Sequence, residues 1–325
     1  MTSPELPVAR AAAVPRAPAG PGAGPRVVAI GGGRGLAVTV RAALRYAGHL
    51  AAVVATADDS GSSGRLRSDL AVPALGDLRR CLVAMAGLDG HALGRALEHR
   101  FPGTDVAGHA LGNLLLAGLT AVTGDLLAAT REMSRLLGIH PETRRVLPAT
   151  TCPVELQAWT GHGRKVFGQY AISQTAGIER VRLQPSDARA ADGASELVLH
   201  ADQVVLGPGS LYTSVLAAAL VEELHRALAT TLATVVYVCN LEPERYETDG
   251  LDATAHVAAL LAHGVRPHVV VVPAGTPPGT VGAEVVVADV AGASPVTHDD
   301  RKLAAALATL VPEPSRRYLP WPSSR

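Results

Sequence analysis

Short, mostly apolar runs recur along the chain, at 26–30, 51–57, 203–206, 234–239 and 268–272. They are rich in valine, and they lack the polar alternation of a strand that is half exposed to water. Continuous apolar runs of this kind are typical of strands covered on both faces in a parallel sheet. The pattern therefore predicts the central strands of a buried parallel sheet.

Longer segments with helical spacing of their apolar residues separate these runs. The spacing predicts helices over 36–47, 77–86, 110–119, 124–137, 211–229 and 252–263. Repeated alternation of strand, turn and helix indicates right-handed crossovers with helices on both faces of the sheet. The predicted fold class is α/β, a doubly wound, mostly parallel Rossmann-like sheet.

The stretch 146–183 has a different pattern. Short segments such as VELQAWT and KVFGQYAI flank the turn GHGRK, which predicts a small antiparallel hairpin inserted into the fold. We interpret residues 26–312 as a single α/β domain that contains this insertion. Residues 1–25, rich in Ala, Pro, Gly and Arg, are expected to form a disordered tail, and residues 313–325 an irregular one.

The composition narrows the class of protein further. The formal net charge is zero, from 29 basic and 29 acidic residues, so no excess of charge favours binding to nucleic acid. No apolar run approaches the roughly 20 residues that cross a bilayer, and we expect no membrane insertion. The three cysteines are far apart in sequence, which argues against a disulfide framework or a cysteine zinc site. These features predict a cytoplasmic protein.

A glycine-rich loop follows the first predicted strand and contains Gly31, Gly32, Gly33, Arg34 and Gly35. Bare backbone lets N–H groups approach an anion closely, and the helix that follows adds the positive end of its dipole. Tight strand-to-helix turns also need glycine for structural reasons alone. The spacing matches neither the dinucleotide fingerprint nor the Walker A loop. The loop therefore favours a phosphate-bearing ligand of another kind.

A second loop of this type follows the QVVL strand. It places glycines ahead of a helix whose first turn carries hydroxyl groups, and the candidate ligand-binding residues are Gly207, Gly209, Ser210, Tyr212, Thr213 and Ser214. Hydroxyls and N–H groups at a helix start predict a second anion site. Two such sites at one sheet edge suit a diphosphate or a phosphorylated sugar.

Two adjacent carboxylates, Asp58 and Asp59, follow the second predicted strand, in a loop whose Ser60 and Ser62 are further candidate ligand-binding residues. Adjacent carboxylates can coordinate Mg²⁺ beside substrate phosphates or bind sugar hydroxyls. Asp is also a common residue for fixing a turn. We expect one of the pair to face the ligand and the other to fix the loop.

Further polar residues lie at predicted helix starts and strand ends. Asp77 follows Gly76 at a helix start, where capping its own helix is the ordinary role, and it is also a candidate ligand-binding residue. His109 and Asn113 are four residues apart on one helical face, which indicates either a buried hydrogen-bond network or a ligand contact. Asn240 follows the TVVYVC strand and is expected at the same sheet edge as the glycine loops.

Taken in order, these motifs resemble those of the YvcK/CofD-like proteins, also called gluconeogenesis factors. The segments that carry the resemblance are GGGRGL, ADDSGSSGRLR, PALGDLRRCLVAMA, GHALGNLLLAGL, VLPATTCPVEL, RVRLQPSDARA, VVLGPGSLYTSVL and YVCNLEPERYETDG. The resemblance covers residues 26 to 310, and it implies a ligand held at the two glycine loops.

The family that the chain resembles has two branches, which imply two functions. Proteins of the YvcK branch bind UDP-activated sugars of the N-acetylglucosamine type (UDP-GlcNAc) and are linked to cell-wall integrity, cell shape and growth on gluconeogenic carbon sources. Proteins of the other branch are 2-phospho-L-lactate transferases, which move a phospholactyl group from a nucleotide diphosphate donor to a deazaflavin. The ADDSGSSGRLR and YVCN segments resemble the YvcK branch more closely, so a non-catalytic regulator that requires no cofactor is expected, with the transferase as the alternative.

The resemblance also implies roles for individual positions. The glycine loops would face the phosphates of a UDP-sugar or related nucleotide diphosphate, and Asp58 and Asp59 would approach its sugar or, in a transferase, a Mg²⁺ ion. His109 and Asn113 would line the pocket. Asn240, Thr248 and Asp249 would close it near the base or ribose. The resemblance is compatible with a homo-oligomer and with a regulatory protein partner.

Overall fold

The computed structural model describes residues 22–59, 74–103, 106–276, 282–312 and 321–322. Within these ranges, seven parallel strands form one sheet between two layers of helices, and three antiparallel strands form a second, smaller sheet. The predicted tails lie mostly outside the described residues.

The order of the strands places a switch point in the middle of the large sheet. The strands are β1 (Arg26–Gly31), β2 (His49–Val54), β3 (Arg144–Pro148), β4 (Glu155–Thr160), β5 (Lys165–Phe167), β6 (Ile178–Gln184), β7 (Gln203–Leu206), β8 (Thr234–Val238), β9 (Val269–Pro273) and β10 (Glu284–Ala288). The large sheet has the order β10, β9, β8, β7, β1, β2, β3. The chain extends the sheet on one side of β1 through β2 and β3, and on the other side through β7 to β10. The direction of winding therefore reverses between β1 and β7.

Both faces of the large sheet are covered, as the continuous apolar runs predicted. On β1, Val28 and Ile30 pack into one core cluster, while Val27 and Ala29 pack into another. All four side chains are fully buried. Successive residues of a strand point to opposite faces, so a strand between two helix layers needs an unbroken apolar run. The predicted doubly wound α/β fold is confirmed.

Several of the helices that cover the sheet begin at a capping aspartate. The described helices are α1 (Gly33–Ala43), α2 (Gly76–Met85), α3 (Ala92–Glu98), α4 (Leu111–Thr123), α5 (Leu126–Leu136), α6 (Gln169–Ser173), α7 (Ala194–Leu199), α8 (Ala217–Ala219), α9 (Glu222–Thr230), α10 (Ala253–Ala262) and α11 (Asp300–Ala308). Asp125, Asp252 and Asp299 cap α5, α10 and α11 with side-chain oxygens that accept first-turn N–H groups. Among the described helices, none is long and apolar enough to cross a membrane.

The helix predicted over 211–229 is divided in the structure. A π-helical segment, Leu211–Leu216, leads into α8, and α9 follows after a break. The N–H of Val215 donates to the carbonyl of Ser210, five residues back, at 2.9 Å, which widens the turn. Val221 is extended and starts α9. The apolar spacing did not reveal these changes, because residues 211–219 are all buried whichever helix type they adopt.

The antiparallel insertion predicted within 146–183 is present as the smaller sheet, in the order β5, β4, β6. It has three strands rather than two, because β6 pairs with β4 along its other edge. The first residues of the predicted insertion belong instead to β3, which pairs in parallel with β2 at the edge of the large sheet. The strands β3 and β10 and the helices α3, α6, α7 and α11 were not among the predicted elements, and α6 occupies the second half of KVFGQYAI, which was expected in the hairpin.

The described C-terminal residues contact the amino end of β2. The ring of Trp321 lies 5.6 Å from that of His49, and Arg145 donates a hydrogen bond to the carbonyl of Pro322. This short segment therefore packs against the large sheet although it has no regular secondary structure.

The two glycine-rich loops touch each other beside the switch point. A Cβ atom at Gly35 would lie 2.0 Å from the carbonyl oxygen of Pro208. The hydroxyl of Thr39 donates to the carbonyl of Gly207 at 2.6 Å, which holds the second loop against α1. Only glycine allows so close an approach of the two backbones at position 35.

We expect the Gly35→Ala variant to be destabilised by roughly 1–3 kcal/mol, because the added methyl group must push the two loops apart. Urea unfolding followed by circular dichroism measures the change. Gly118→Ala is the matched control, since Gly118 is exposed in the middle of α4 and a Cβ there would meet open space. That variant should be as stable as the wild type or more stable, by up to about 1 kcal/mol. Equal stability of the two variants would contradict the prediction.

Candidate functional site

A cavity of about 890 Å³ opens at the carboxyl ends of β1, β7 and β8. Its walls are the start of α1, the loop after β7, the segment after β8 and parts of α2 and α3. The predicted site residues that line it are Gly32, Gly33, Arg34, Gly35, Gly209, Ser210, Ser214 and Asn240. Open α/β sheets bind their ligands at this position, where the direction of winding reverses.

Asp77 holds the first glycine loop in place. The N–H of Gly33 donates to one oxygen of the Asp77 carboxylate at 2.6 Å, and Arg80 donates to the other oxygen at 2.6 Å. Burial raises the pKa of Asp77, and the charge of Arg80 opposes that rise. Asp77 was expected to cap its own helix, but it lies in the first turn of α2, after the N-cap Leu75. The structure corrects that expectation, because the carboxylate supports the start of α1 instead.

The rest of the first turn of α1 faces the cavity. The N–H groups of Arg34 and Gly35 lie where a helix provides no backbone acceptor. Both residues line the cavity, as does Arg80. Arg34 is exposed, and the dipole of α1 adds partial positive charge at the same place. This corner therefore combines hydrogen-bond donors with positive charge and suits an anionic group.

A carboxyl group of the protein itself, that of Glu247, holds the second glycine loop. One oxygen of Glu247 accepts the N–H groups of Tyr212 and Thr213, at 2.7 and 3.0 Å. Its other oxygen accepts the Thr213 hydroxyl at 2.7 Å. Glu247 is almost fully buried. The expectation that this helix start offers free N–H groups to a phosphate is corrected, since a carboxylate of the protein occupies them. Tyr212 and Thr213 are buried and do not line the cavity.

Asn240 and Glu244, which follow β8, fix the shape of the second loop. The side chain of Asn240 accepts the N–H of Gly209 at 2.8 Å and donates to its carbonyl at 3.2 Å. The carboxylate of Glu244 accepts the hydroxyl of Ser210 at 2.6 Å. All four residues line the cavity. Asn240 thus reaches the predicted sheet edge, with its side chain engaged by the backbone of the loop.

Thr248 and Asp249 do not lie where the resemblance placed them. Thr248 is fully buried, and its hydroxyl accepts the N–H of Glu244 at 2.9 Å. Asp249 is exposed and does not line the cavity. The chain turns between Glu244 and Asp249, so closeness to Asn240 in sequence did not carry these two side chains into the cavity.

The two adjacent carboxylates have different surroundings. Asp59 accepts the N–H of Tyr170 at 2.7 Å, in the first turn of α6. It therefore ties the segment after β2 to the smaller sheet, which is the fixing role expected of one member of the pair. Asp58 lies close enough to Asp77 for its charge to raise the pKa of that residue. The predicted ligand residues Ser60 and Ser62 lie outside the described residues.

His109 and Asn113 are buried, and neither lines the cavity. The side-chain oxygen of Asn113 accepts a hydrogen bond of 2.6 Å from Arg79, which is 1% exposed. The same guanidinium holds Glu98 through two hydrogen bonds of 3.1 and 2.9 Å. Of the two alternatives left open by the sequence, the buried network describes Asn113.

The hydrogen bonds of the buried Arg79 orient the carboxylate of Glu98 at the cavity wall. Glu98 lines the cavity, and its side chain is 40% exposed. Two bonds from a buried arginine fix the plane of a carboxylate, and they leave other lone pairs of its oxygens to the cavity. Asp89, on the same wall, pairs at 3.0 Å with Arg41, which is more exposed than Arg79.

Several residues of the site were not predicted from the sequence, namely Glu98, Glu244, Glu247 and His298. Glu244 and Glu247 lie only a few residues after Asn240, and that spacing could have indicated their involvement. His298 comes from a distant segment, donates to the carbonyl of Cys239 and lines the cavity. Among the residues that the structure describes, no group of three or more His, Cys, Asp or Glu side chains is arranged to hold a metal.

The fold and the cavity define a Rossmann-like α/β protein whose candidate site lies between two glycine loops at the switch point of its sheet. Comparisons with known proteins give the family. The sequence model of the CofD family, described as 2-phospho-L-lactate transferase CofD, matches residues 27–315. The chain therefore belongs to the CofD family, which confirms the resemblance to YvcK/CofD-like proteins.

Relatives of this chain carry the name gluconeogenesis factor. The putative gluconeogenesis factor of Mycobacterium tuberculosis (strain CDC 1551 / Oshkosh) is 42% identical over 308 residues, which cover 86% of this chain and 89% of that protein. The gluconeogenesis factor of Bacillus subtilis (strain 168) is 38% identical over 241 residues, covering 74% and 75%. The crystal structure of a UPF0052 family member from Bacillus halodurans is similar with a TM-score of 0.82 at 34% identity, covering 87% of this chain and 98% of that one.

Glu247 should make the stability of the protein depend on pH. Burial, followed by the nearby charge of Glu244, raises the pKa of Glu247 from 4.5 to about 7. The folded protein therefore keeps a proton that the unfolded chain releases between these values. The free energy of unfolding should fall as the pH rises through this window, by up to about 1.4 kcal/mol per pH unit.

Urea unfolding of the wild type and Glu247→Gln at pH 5, 6, 7 and 8 measures this dependence. The neutral amide cannot lose a proton, so the variant should gain stability relative to the wild type as the pH rises toward neutrality. Glu242→Gln, an exposed residue of the same segment, is the matched control. A constant difference between the wild type and Glu247→Gln across this range would contradict the assignment.

Proposed function

We propose that this protein is a regulatory protein that binds a nucleotide sugar of the UDP-GlcNAc type and acts in the cytoplasm in cell-wall formation, cell shape and carbon metabolism. The observation that carries the proposal is the first turn of α1, which includes Arg34 and lines a cavity of about 890 Å³ together with Arg80. The gluconeogenesis factor names of its relatives support the part of this role that concerns carbon metabolism.

The charge distribution favours a diphosphate at the start of α1. Unpaired N–H groups at a helix start and the positive end of its dipole bind phosphate oxygens. Arg34 adds positive charge beside the loop, and arginine forms strong paired bonds with phosphate. Arg80 forms an ion pair with Asp77 and lines the same cavity, where its guanidinium has further N–H groups. The second loop, whose N–H groups are held by Glu247, would then contribute shape and neutral contacts rather than a second phosphate site.

The remaining walls suit a hydroxyl-rich ligand. Glu98, Glu244 and Asn240 all line the cavity with polar side chains. A carboxylate fixed by a buried arginine, as Glu98 is, makes a well-oriented acceptor for sugar hydroxyls. A volume of several hundred Å³ is typical of sites for small organic ligands.

A sensor of this kind requires neither a cofactor nor a catalytic base. Binding of the nucleotide sugar would stabilise one arrangement of the loops around the cavity and so change how the protein contacts a regulatory partner or a second copy of itself. One structural observation favours ligand binding without catalysis. The carboxylates Asp77, Glu244 and Glu247 are each engaged in holding the glycine loops in place.

Binding of a UDP-sugar can be tested by thermal unfolding and calorimetry. UDP-GlcNAc and UDP should raise the melting temperature at millimolar concentration, while NAD should not. Arg34→Ala should weaken the binding of both UDP-GlcNAc and UDP about tenfold, since the substitution removes a charge-assisted contact to phosphate. Arg131→Ala is the matched control, because Arg131 is exposed on α5 and does not line the cavity.

Two outcomes would overturn this binding proposal. The first is the absence of stabilisation by any UDP-sugar. The second is an unchanged affinity of Arg34→Ala for both UDP ligands, which would show that the phosphates do not bind at the start of α1.

The alternative function is a transferase that uses a nucleotide diphosphate donor, and the description of the matching family supports it. Oxygen ligands suit Mg²⁺, which commonly takes one or two carboxylates and completes its shell with substrate phosphates. Asp58 and the second oxygen of Asp59 are the groups that would hold it. A bound Mg²⁺ would neutralise the charge of the departing diphosphate.

Incubation with Mg²⁺, a deazaflavin acceptor and phospholactyl-guanosine diphosphate tests this alternative. A transferase should form the phospholactyl-deazaflavin product, and Asp58→Asn should lower the rate about a hundredfold if Asp58 holds the metal. Chromatography beside a working control enzyme detects the product. A complete absence of product would remove the transferase function.

A further inference from the structure

The smaller sheet presents an outward face on which aromatic and basic side chains are concentrated. Its inward residues, such as Leu156, Val166 and Val181, are buried in the core. The alternate residues are exposed or half-buried, and we define the basic face by Trp159, Lys165, Phe167, Arg180 and Arg182. Strand pairing brings Lys165 and Arg180 opposite Trp159.

Trp159 holds three cations on the basic face. The guanidinium carbons of Arg180 and Arg182 lie 4.6 and 5.0 Å from the centre of the indole ring, and the ammonium of Lys165 lies 5.9 Å from it. Arg182 also donates two hydrogen bonds to the side-chain oxygen of Gln157. Packing against an aromatic ring restrains a guanidinium and leaves N–H groups at its edge to bind other molecules.

The positive charge of the basic face is not balanced by ion pairs. Within the described ranges, no carboxylate lies at ion-pair distance from Lys165, Arg180 or Arg182, although many other arginines form such pairs. Glu155, on the same side of β4, lies opposite Gln184 rather than opposite a basic residue. The whole chain is neutral, with equal numbers of basic and acidic residues. The basic face is therefore a local concentration of charge rather than a sample of a generally basic surface.

We propose that the basic face binds an acidic segment of a partner protein. The restrained guanidinium groups of Arg180 and Arg182 match the paired oxygens of Asp and Glu side chains. The exposed ring of Phe167 offers contact to an apolar side chain of the same segment. Single-stranded nucleic acid fits less well, because successive bases stack on several open aromatic rings, whereas cations already lie against Trp159 and leave Phe167 as the open ring among the residues that define this face.

The position of the basic face connects it to the candidate site. Asp59 bonds to the first turn of α6, which directly follows β5. Gln169 of the same helix donates to the carbonyl of Thr213, in the π-helical segment held by Glu247. A partner on the basic face would therefore sit on the unit that contacts the second glycine loop. Binding there does not depend on the identity of the ligand in the cavity.

The experiment uses the full chain and a short fluorescein-labelled peptide of alternating Glu and Gly that carries one Leu. Fluorescence anisotropy should show binding of this peptide to the wild type. The double variant Arg180→Glu with Arg182→Glu should weaken binding about tenfold or more, because it replaces two attracting charges with repelling ones. The double variant Arg131→Glu with Arg266→Glu, which changes net charge equally at exposed positions elsewhere, should change it less than about twofold.

A second measurement reports on Trp159 directly. The chain has two tryptophans, so Trp321→Phe leaves Trp159 as the only one. Its emission should change when the peptide engages the cations packed against it. Absence of peptide binding would overturn the proposal, and so would equal weakening by the two double variants. Tighter binding of a single-stranded oligonucleotide than of the peptide, with quenching of Trp159, would assign the face to nucleic acid instead.

Discussion

The close contact between the two glycine-rich loops is the constraint on which the candidate site depends. At Gly35 the start of α1 approaches the carbonyl of Pro208 so closely that no side chain fits between them. The contact joins the turns that follow β1 and β7, which come from distant parts of the chain and meet because their strands are neighbours in the sheet. The cavity forms where these turns meet, so its shape follows from a backbone contact before any ligand is considered.

Carboxylates of the protein itself stabilise both loops. Asp77 accepts the first N–H of α1, and Glu247 accepts two N–H groups and a hydroxyl at the start of the π-helical segment. A helix start attracts negative charge whether the anion comes from a ligand or from a side chain. The two loops are therefore similar in sequence and different in their electrostatics. At the first, Arg34 and Gly35 of the same turn line the cavity together with Arg80, whereas at the second Glu247 accepts the N–H groups.

The sequence predicted the large sheet, most of its helices and the edge at which the site lies. These features follow from local patterns, because an unbroken valine run implies a strand covered on both faces and glycines after it imply a tight turn. The same patterns did not predict β3, which mixes charged and apolar residues, or β10, which is only partly buried. They also could not distinguish α-helical from π-helical geometry in a segment that is buried on all sides.

The sequence by itself determined the fold class, the family and some of the polar residues that gather at one sheet edge, such as Ser210 and Asn240. Only the tertiary structure decided what those residues contact. Asp59 accepts a hydrogen bond from the first turn of α6, and Thr248 accepts one from the backbone of Glu244. Asn113 accepts one from the buried Arg79. The physical reason is that such a hydrogen bond depends on atoms brought together from distant segments, and most buried polar groups bond to a suitable partner that the fold places within reach. A motif sets the position of a side chain in the sequence, whereas the packing of the whole chain determines whether that side chain contacts a ligand or another part of the protein.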